Sequence, residues 1–359
     1  MAPGPRDEDA PMGSTVAGCS VPSRLVRFAG PALPYDRTYH LLGRLDKVRT
    51  QILREGTDVL EAHSPYLAAA AIVGSGRSAT RIRTAFWHSD HVGSYAQPTL
   101  DRWLGLRLAQ VATAPLWQAM RALLWPFDAV FAAGRAQADR LHRAGVRDVI
   151  HVPFGVDTGT FHPGARREDE RARWLAGAKD GAVLLVGVGR FAVDKRWDVL
   201  LDAFAQIRNS RPAVLVLFGD GPERERLEAR APPGVRFAGF EQDRAKLARA
   251  LASADLLAHA SPYETFGLGV AEAVACGLPI VVPRSGGAAE SADPDSSEVY
   301  ADLDVSACAA AIERLLCRDR RELRARALEA AARVPSIERH FSTVLDAYGD
   351  LLRARDLPR

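Results

Sequence analysis

Residues 261–290 read Ser-Pro-Tyr-Glu-Thr-Phe-Gly-Leu-Gly-Val-Ala-Glu-Ala-Val-Ala-Cys-Gly-Leu-Pro-Ile-Val-Val-Pro-Arg-Ser-Gly-Gly-Ala-Ala-Glu. A short apolar run, Leu256 to Ala258, leads into a loop that carries Pro262, Glu264 and Gly267. The spacing predicts a helix over Leu268 to Ala275. Gly277 is placed to stop it in a left-handed conformation, and Pro279 prevents its return. Ile280 to Val282 is a short apolar strand, and the Gly286-Gly287 turn precedes Glu290. Amides near Gly267, Leu268 and Gly269 have no acceptor inside the helix, so they form a ready place for a phosphate or diphosphate. Glycine there lets an anion approach the backbone closely. Glu264 stands before this anion site and Glu272 behind it, where carboxylates can accept hydrogen bonds from sugar hydroxyls on either side. That pattern suits a nucleoside diphosphate sugar. An ordinary strand-loop-helix unit carries the same signals, with Glu264 as a cap and Glu272 on a solvated face.

Working outward, the alternation continues upstream. Ala182 to Val188 is an apolar run suited to a central parallel strand, ending at Gly189-Arg190-Phe191. Helices are expected over Trp197–Ile207, Glu223–Ala229 and Asp243–Ser253. The strands between them are Ala213–Phe218 and Val235–Phe237. Such alternation argues for βα units and a parallel sheet. Later helices are expected over Ala307–Leu316, Arg320–Arg333 and Ile337–Leu352. Before this half, strands are expected at Leu25–Phe28, Asp58–Pro65, Arg81–Phe86, Ala129–Ala132 and Val149–Val152. Helices are expected at Tyr39–Arg54, Tyr66–Val73, Leu100–Phe127 (interrupted by Pro115 and Pro126) and Gly134–Ala144. The polar, arginine-rich passage Arg166–Arg173 is read as the domain boundary.

The 359 residues suggest two domains, and 47% apolar residues are enough for real cores. The formal charge of +3 is carried by arginine, without the basic blocks that nucleic acid demands. A weak attraction to anionic membrane surfaces is compatible with it. The four cysteines, Cys19, Cys276, Cys308 and Cys317, form no CxxC pair, which reads as a reducing, cytoplasmic compartment. No apolar run reaches membrane-spanning length. Residues 1–20 are acidic and rich in Pro and Gly, and they are expected to lack fixed structure.

Three further groups of residues weigh on chemistry. Gly187-Val188-Gly189-Arg190-Phe191-Ala192 matches a G-x-G-x-x-A dinucleotide fingerprint only superficially, because the acid it needs would be Asp220, too far along. Arg190 and Lys195 are better read together, as cations able to reach an anion held near Gly267 and to stabilise a departing diphosphate. Solvated loop cations are the plainer alternative. His63, His88 and Asp90 fall beyond strand ends, where ligands of open α/β sheets gather. Their spacing is unconvincing for a metal. A backbone carbonyl or a sugar hydroxyl is an equally good partner for His88.

The sequence resembles a retaining GT-B glycosyltransferase of the GT4-type group. The resemblance rests on Glu264, seven intervening residues and Glu272 within the opening stretch, on Gly189-Arg190-Phe191 with Lys195, and on Gly219-Asp220-Gly221-Pro222. Phe237-Ala238-Gly239-Phe240, Gly286-Gly287 and Pro153-Phe154-Gly155-Val156-Asp157 follow the group's order. It implies an α/β protein with two Rossmann-like domains and parallel sheets facing a cleft. The acceptor-side domain would occupy 21–165 and the nucleotide-sugar domain 166–336, with a helix over 337–359 crossing back to the first domain. It implies further that Glu264, Arg190, Lys195 and His88 serve the reaction. The donor would lie on Gly189, Arg190, Lys195, Phe240, Glu264, Gly267, Leu268, Gly269 and Glu272. The donor would be a GDP- or UDP-sugar carrying mannose or glucose, with no tightly bound cofactor and no metal. The acceptor would be a glycan, lipid-linked or small-molecule hydroxyl.

One departure from the group stands out. A first strand, a glycine-rich loop and about two βα units have no counterpart here, so the first domain reads as shortened. A non-catalytic or impaired nucleotide-sugar-binding protein is therefore an alternative. A sugar phosphorylase or synthase of the same architecture is another.

Overall fold

The computed structural model describes all residues except 17–18, 34–35, 65, 89, 91, 94–99, 101–105 and 357–359. Ser89, His91 and the beginning of the helix expected from Leu100 thus lie wholly or partly outside the described residues. At the N-terminus, Ala2–Gly4 (β1), Glu8–Val16 (β2) and Cys19–Ala29 (β3) form a sheet in the order β1-β3-β2, with β2 antiparallel to β3. Among the described residues of 1–20, where no fixed structure was expected, strands thus occupy 2–4, 8–16 and 19–20. Val26 and Phe28 alternate along β3 and are buried in the first core, so one face of the strand is anchored. The acidic residues beside it are paired. Glu8 meets Arg27 at 2.7 Å, and Asp7 accepts from the Ala29 amide at 2.7 Å and pairs with Lys47.

Ala32–Leu33 (β4) and Asp36–His40 (β5) make a small antiparallel pair. The helix expected from Tyr39 therefore begins only at Leu45 and runs to Glu55. Its buried face is Val48 and Ile52, while Leu41 is exposed outside it. Gly56 ends it with φ of 57°.

Thr57–Ala62 (β6), Thr80–Trp87 (β7), Ala129–Ala132 (β8) and Val149–His151 (β9) form a four-stranded parallel sheet in that order. Crossover helices Leu67–Gly74, Leu106–Leu124 and Arg135–Arg143 connect them. Pro115 does not interrupt its helix, contrary to the sequence reading. It lies at an exposed position, where water can take the carbonyl it frees.

The second sheet has six parallel strands in the order β12-β11-β10-β13-β14-β15. They are Val183–Val188 (β10), Ala213–Phe218 (β11), Val235–Gly239 (β12), Leu256–Ala258 (β13), Ile280–Pro283 (β14) and Ser297–Tyr300 (β15). The middle strands are buried, and apolar cores cover the sheet on both faces. The arginine-rich passage is part of this packing: Glu168–Leu175 is a helix with three acidic residues in its first turn. Its Trp174 packs edge-on against Phe218 at 5.5 Å between ring centroids.

The last helix, Ile337–Asp356, lies on the first sheet. Val344 shares a core with Phe86, Phe131 and Val152. His340 Nδ1 lies 2.8 Å from the Pro153 carbonyl oxygen, and Arg81 donates to Asp356 at 2.7 Å.

Candidate functional site

The carboxyl ends of β10 and β13 and the start of the Leu268–Ala275 helix converge. Gly267 precedes that helix with φ of 83°, a left-handed conformation that suits glycine. A Cβ on Gly269 would meet Val188 Cγ1 at 3.3 Å, which sets the helix start against the end of β10. The helix bonds begin with the Val270 and Ala271 amides donating to the Gly267 carbonyl. The Leu268 and Gly269 amides stand at the helix mouth, where the dipole favours an anion.

Lys195 and Glu264 meet there. Lys195 Nζ donates to Glu264 Oε1 at 2.6 Å, and both side chains are largely buried. Burial pushes the Glu264 carboxyl up, but the Lys195 ammonium, through its charge and its hydrogen bond, holds it below the ordinary value of 4.5. The two loops are bound to each other: Ser261 Oγ donates to the Asp194 carbonyl at 2.7 Å, and Gly287 N to the Glu264 carbonyl at 2.7 Å. On the β10 side, Trp197 Nε1 donates to the Arg190 carbonyl at 2.9 Å, which fixes the backbone of the second cation. Gly189 lies between this turn and β10, and Arg190 is exposed.

Glu272 sits on the same helix but faces elsewhere. It is 5% exposed and is paired with Arg244 from the helix Arg244–Ser253, whose guanidinium also lies 4.7 Å over the Phe161 ring. Burial pushes the Glu272 carboxyl above 4.5, against the pull of Arg244. Phe240 is 71% exposed in the turn before Arg244.

His88 approaches from the first domain. Its carbonyl accepts from Thr265 Oγ1 at 2.8 Å, next to Glu264. Its ring lies 5.7 Å from that of His63 and 6.2 Å from that of Phe154, and burial lowers its pKa from 6.5. Asp90 does not join it. The Asp90 carboxylate is fully buried, paired with Arg140 at 2.7 Å, and accepts from the Gly93 amide at 2.7 Å. That is a structural anchor. His63 turns to Glu61 at 2.9 Å. No cluster of His, Cys, Asp or Glu able to hold a metal occurs among the described residues.

Two partners were not visible in sequence. His259, at the end of β13 and 5% exposed, places Nε2 3.7 Å from Glu264 Oε1, with no hydrogen-bond partner for that nitrogen among the described residues. Burial lowers its pKa, which favours the neutral ring. Glu290 reaches across to the first domain and accepts from the Arg135 and Ala136 amides at 2.7 and 2.8 Å, the first turn of Arg135–Arg143. Phe154 and Phe266 meet edge-on beside this contact, 5.5 Å apart.

Comparison with known proteins agrees with this architecture. Residues 182–318 match the family model described as Glycosyl transferases group 1. A Mycobacterium tuberculosis GDP-mannose-dependent alpha-(1-6)-phosphatidylinositol dimannoside mannosyltransferase is 36% identical over 225 residues, 62% of this chain and 58% of that protein. A Corynebacterium glutamicum GDP-mannose-dependent alpha-mannosyltransferase is 29% identical over 289 residues, 80% of this chain and 64% of that protein. The chain thus spans less than two thirds of each relative. Among solved structures, the sucrose-phosphate synthase of Thermosynechococcus elongatus superposes with a TM-score of 0.73 at 21% identity, covering 92% of this chain and 84% of that one. The Anabaena protein HepE, solved with UDP and glucose, gives 0.66 at 19% identity, over 90% and 85%. No helix among the described residues is long and apolar enough to cross a membrane. The chain has the GT-B fold, and its residues 182–318 match the group 1 glycosyltransferases.

Proposed function

We propose that the protein is a retaining glycosyltransferase that moves a hexose from a nucleoside diphosphate sugar to a hydroxyl acceptor. The observation that carries this reading is the buried Lys195–Glu264 pair, 2.6 Å apart, beside the mouth of the Leu268–Ala275 helix. A cation and two helix-start amides favour a diphosphate, and a carboxylate next to them suits sugar hydroxyls. The donor base and sugar are guanine and mannose, a choice supported by the names of the two mannosyltransferase relatives. One of those names specifies a phosphatidylinositol dimannoside, which supports a lipid-linked acceptor.

In this reading Arg190, Lys195 and the Leu268 and Gly269 amides hold the diphosphate. Glu264 accepts from donor-sugar hydroxyls, Glu272 from the ribose, Phe240 borders the base, and His88 lies beside the transferred sugar. Residues 21–165 supply the acceptor side, 166–336 the donor side, and 337–359 join the two. The bond between the anomeric carbon and the diphosphate oxygen breaks while the acceptor oxygen bonds to the same face. The acceptor proton passes to the leaving phosphate oxygen. Lys195 and Arg190 stabilise the charge that develops there, the kind of contribution worth about 3 kcal/mol per group.

The test offers full-length protein GDP-mannose, UDP-glucose and ADP-glucose with lipid-linked and soluble hydroxyl acceptors. Release of nucleoside diphosphate is followed, and the anomeric configuration of the product is read by NMR. An α-linked product from an α-linked donor is expected. An inverted product, or no product with any donor from folded protein, contradicts the reading.

A further inference from the structure

The amino-terminal ends of the second sheet hold a separate feature. A cavity of about 240 Å³ is lined by Val183, Asp255 and Pro279, which stand at or just before the starts of β10, β13 and β14. The donor groups lie past the opposite ends of these strands. Six residues of β10 at about 3.3 Å each separate the two ends by roughly 20 Å.

Four arginines line this cavity: Arg166, Arg318, Arg320 and Arg324. Arg320 and Arg324 are four residues apart on one helix, so like charges lie on one face. Three of the four already have a carboxylate partner. Asp255 is already shared between Arg320 at 2.6 Å and Arg171 at 2.8 Å, and it also accepts from the Leu184 amide at 2.8 Å. Arg166 pairs with the exposed Glu168, and Arg318 with Glu298. Arg324 is half-buried and has no carboxylate within ion-pair distance among the described residues. Burial and then the charge of Arg166 hold its guanidinium below the ordinary range, Arg320 adds to this, and Glu168 opposes it. Arg324, half-buried beside Arg166 and Arg320, is thus the member of the group that a bound anion would neutralise.

We propose that this cavity binds a compact diphosphate anion at a site separate from the cleft. Guanidinium groups match phosphate oxygens in pairs, and several of them around one cavity suit a multiply charged diphosphate better than a single carboxylate or chloride. The volume lies below the roughly 300–1,000 Å³ typical of pockets for larger ligands, so a pyrophosphate-sized group fits better than a whole nucleotide sugar. The diphosphate can be free or the exposed end of a nucleotide.

Calorimetry with inorganic pyrophosphate on the full chain tests this, with GDP as a second arm. Wild type, Arg324→Gln, Arg166→Gln and Lys195→Ala are compared, and each variant's Tm is recorded to establish folding. The proposal expects a pyrophosphate site that weakens at least tenfold in Arg324→Gln and Arg166→Gln and persists in Lys195→Ala, where any loss is confined to a second site in the cleft. GDP binding that survives Lys195→Ala and is lost in Arg324→Gln identifies a nucleotide as one source of the diphosphate, while binding of pyrophosphate alone at the arginine cavity identifies the free anion. Absence of pyrophosphate binding, or binding lost in Lys195→Ala and retained in Arg324→Gln, overturns the proposal. Neither arm requires turnover, so failure here is distinct from failure of the transferase reading.

Discussion

At the scale of single residues, the proposed donor site combines a carboxylate held ionised with a histidine held neutral. His259, His88 and His151 all have pKa values below 6.5, burial being the first cause in each case. The unfolded chain therefore binds more protons than the folded one below pH 6.5. Their contribution to stability is complete above that pH and is lost as pH falls towards the folded values. Tm is expected to be lower at pH 5.5 than at pH 7.5, and the drop should shrink in His259→Gln. A Tm that is flat or rises towards acid contradicts the assignment. Glu272 has the opposite sign. Its carboxyl lies above 4.5, so its stabilising share is present in acid and lost as pH rises through the folded pKa. Glu272→Gln should leave Tm unchanged or higher at pH 7.5, as thermal denaturation will show, while weakening GDP binding about tenfold, or roughly 1.4 kcal/mol.

Glu264 and Lys195 were legible in the sequence because both flank glycine-bearing turns after apolar runs. His259 was not, since a histidine closing Leu256–Ala258 looks like any satisfied core side chain. Arg244 was also hidden. Its pairing with Glu272 spans two helices, and no local pattern announces it.

At the scale of elements, the two sheets are joined at a few defined contacts. Glu290 accepts from the first amides of Arg135–Arg143, adding a carboxylate where the helix dipole favours one, typically worth about 1 kcal/mol. Gly134 makes room for this. A Cβ there would fall 2.8 Å from the Thr265 carbonyl oxygen and 2.9 Å from Glu290 Oε1. Gly134→Ala should therefore push the domains apart at the Glu264 loop. We expect kcat/KM to fall about tenfold, with Tm changed by a few degrees at most. An unchanged kcat/KM would show that this contact does not shape the competent state.

The helix Leu268–Ala275 has the bounds read from sequence, because Gly267 and Gly277 mark its two ends. The strand Ser297–Tyr300 was not anticipated. Its Ser-Glu start is too polar to signal a strand, and its partner is β14, a long-range pairing. The helix Glu168–Leu175 was read as a boundary passage because charge dominates its composition. Only packing of Trp174 on Phe218 reveals what it covers.

At the scale of the whole molecule, the alternation of apolar runs with helical periods made the α/β architecture readable. The N-terminal pairing was not, since β2 depends on β3, and β3 depends on burying Val26 and Phe28 against helices further along. The last helix packs Val344 and Tyr348 on the four-stranded sheet β6-β7-β8-β9. Val344→Ala should cost about 2 kcal/mol in denaturant unfolding, and Val344→Asp should separate calorimetric unfolding into two transitions as the first sheet loses its cover. A single unshifted transition in both variants would mean that this helix does not support the first domain.

The most direct measurement is the affinity of the full chain for GDP-mannose by calorimetry, beside Lys195→Ala and Glu264→Gln. Micromolar binding by wild type is expected, with at least tenfold weaker binding of both GDP-mannose and GDP in Lys195→Ala and weakening confined to the sugar nucleotide in Glu264→Gln. Equal affinities in all three folded proteins would contradict the claim that this pair holds the donor.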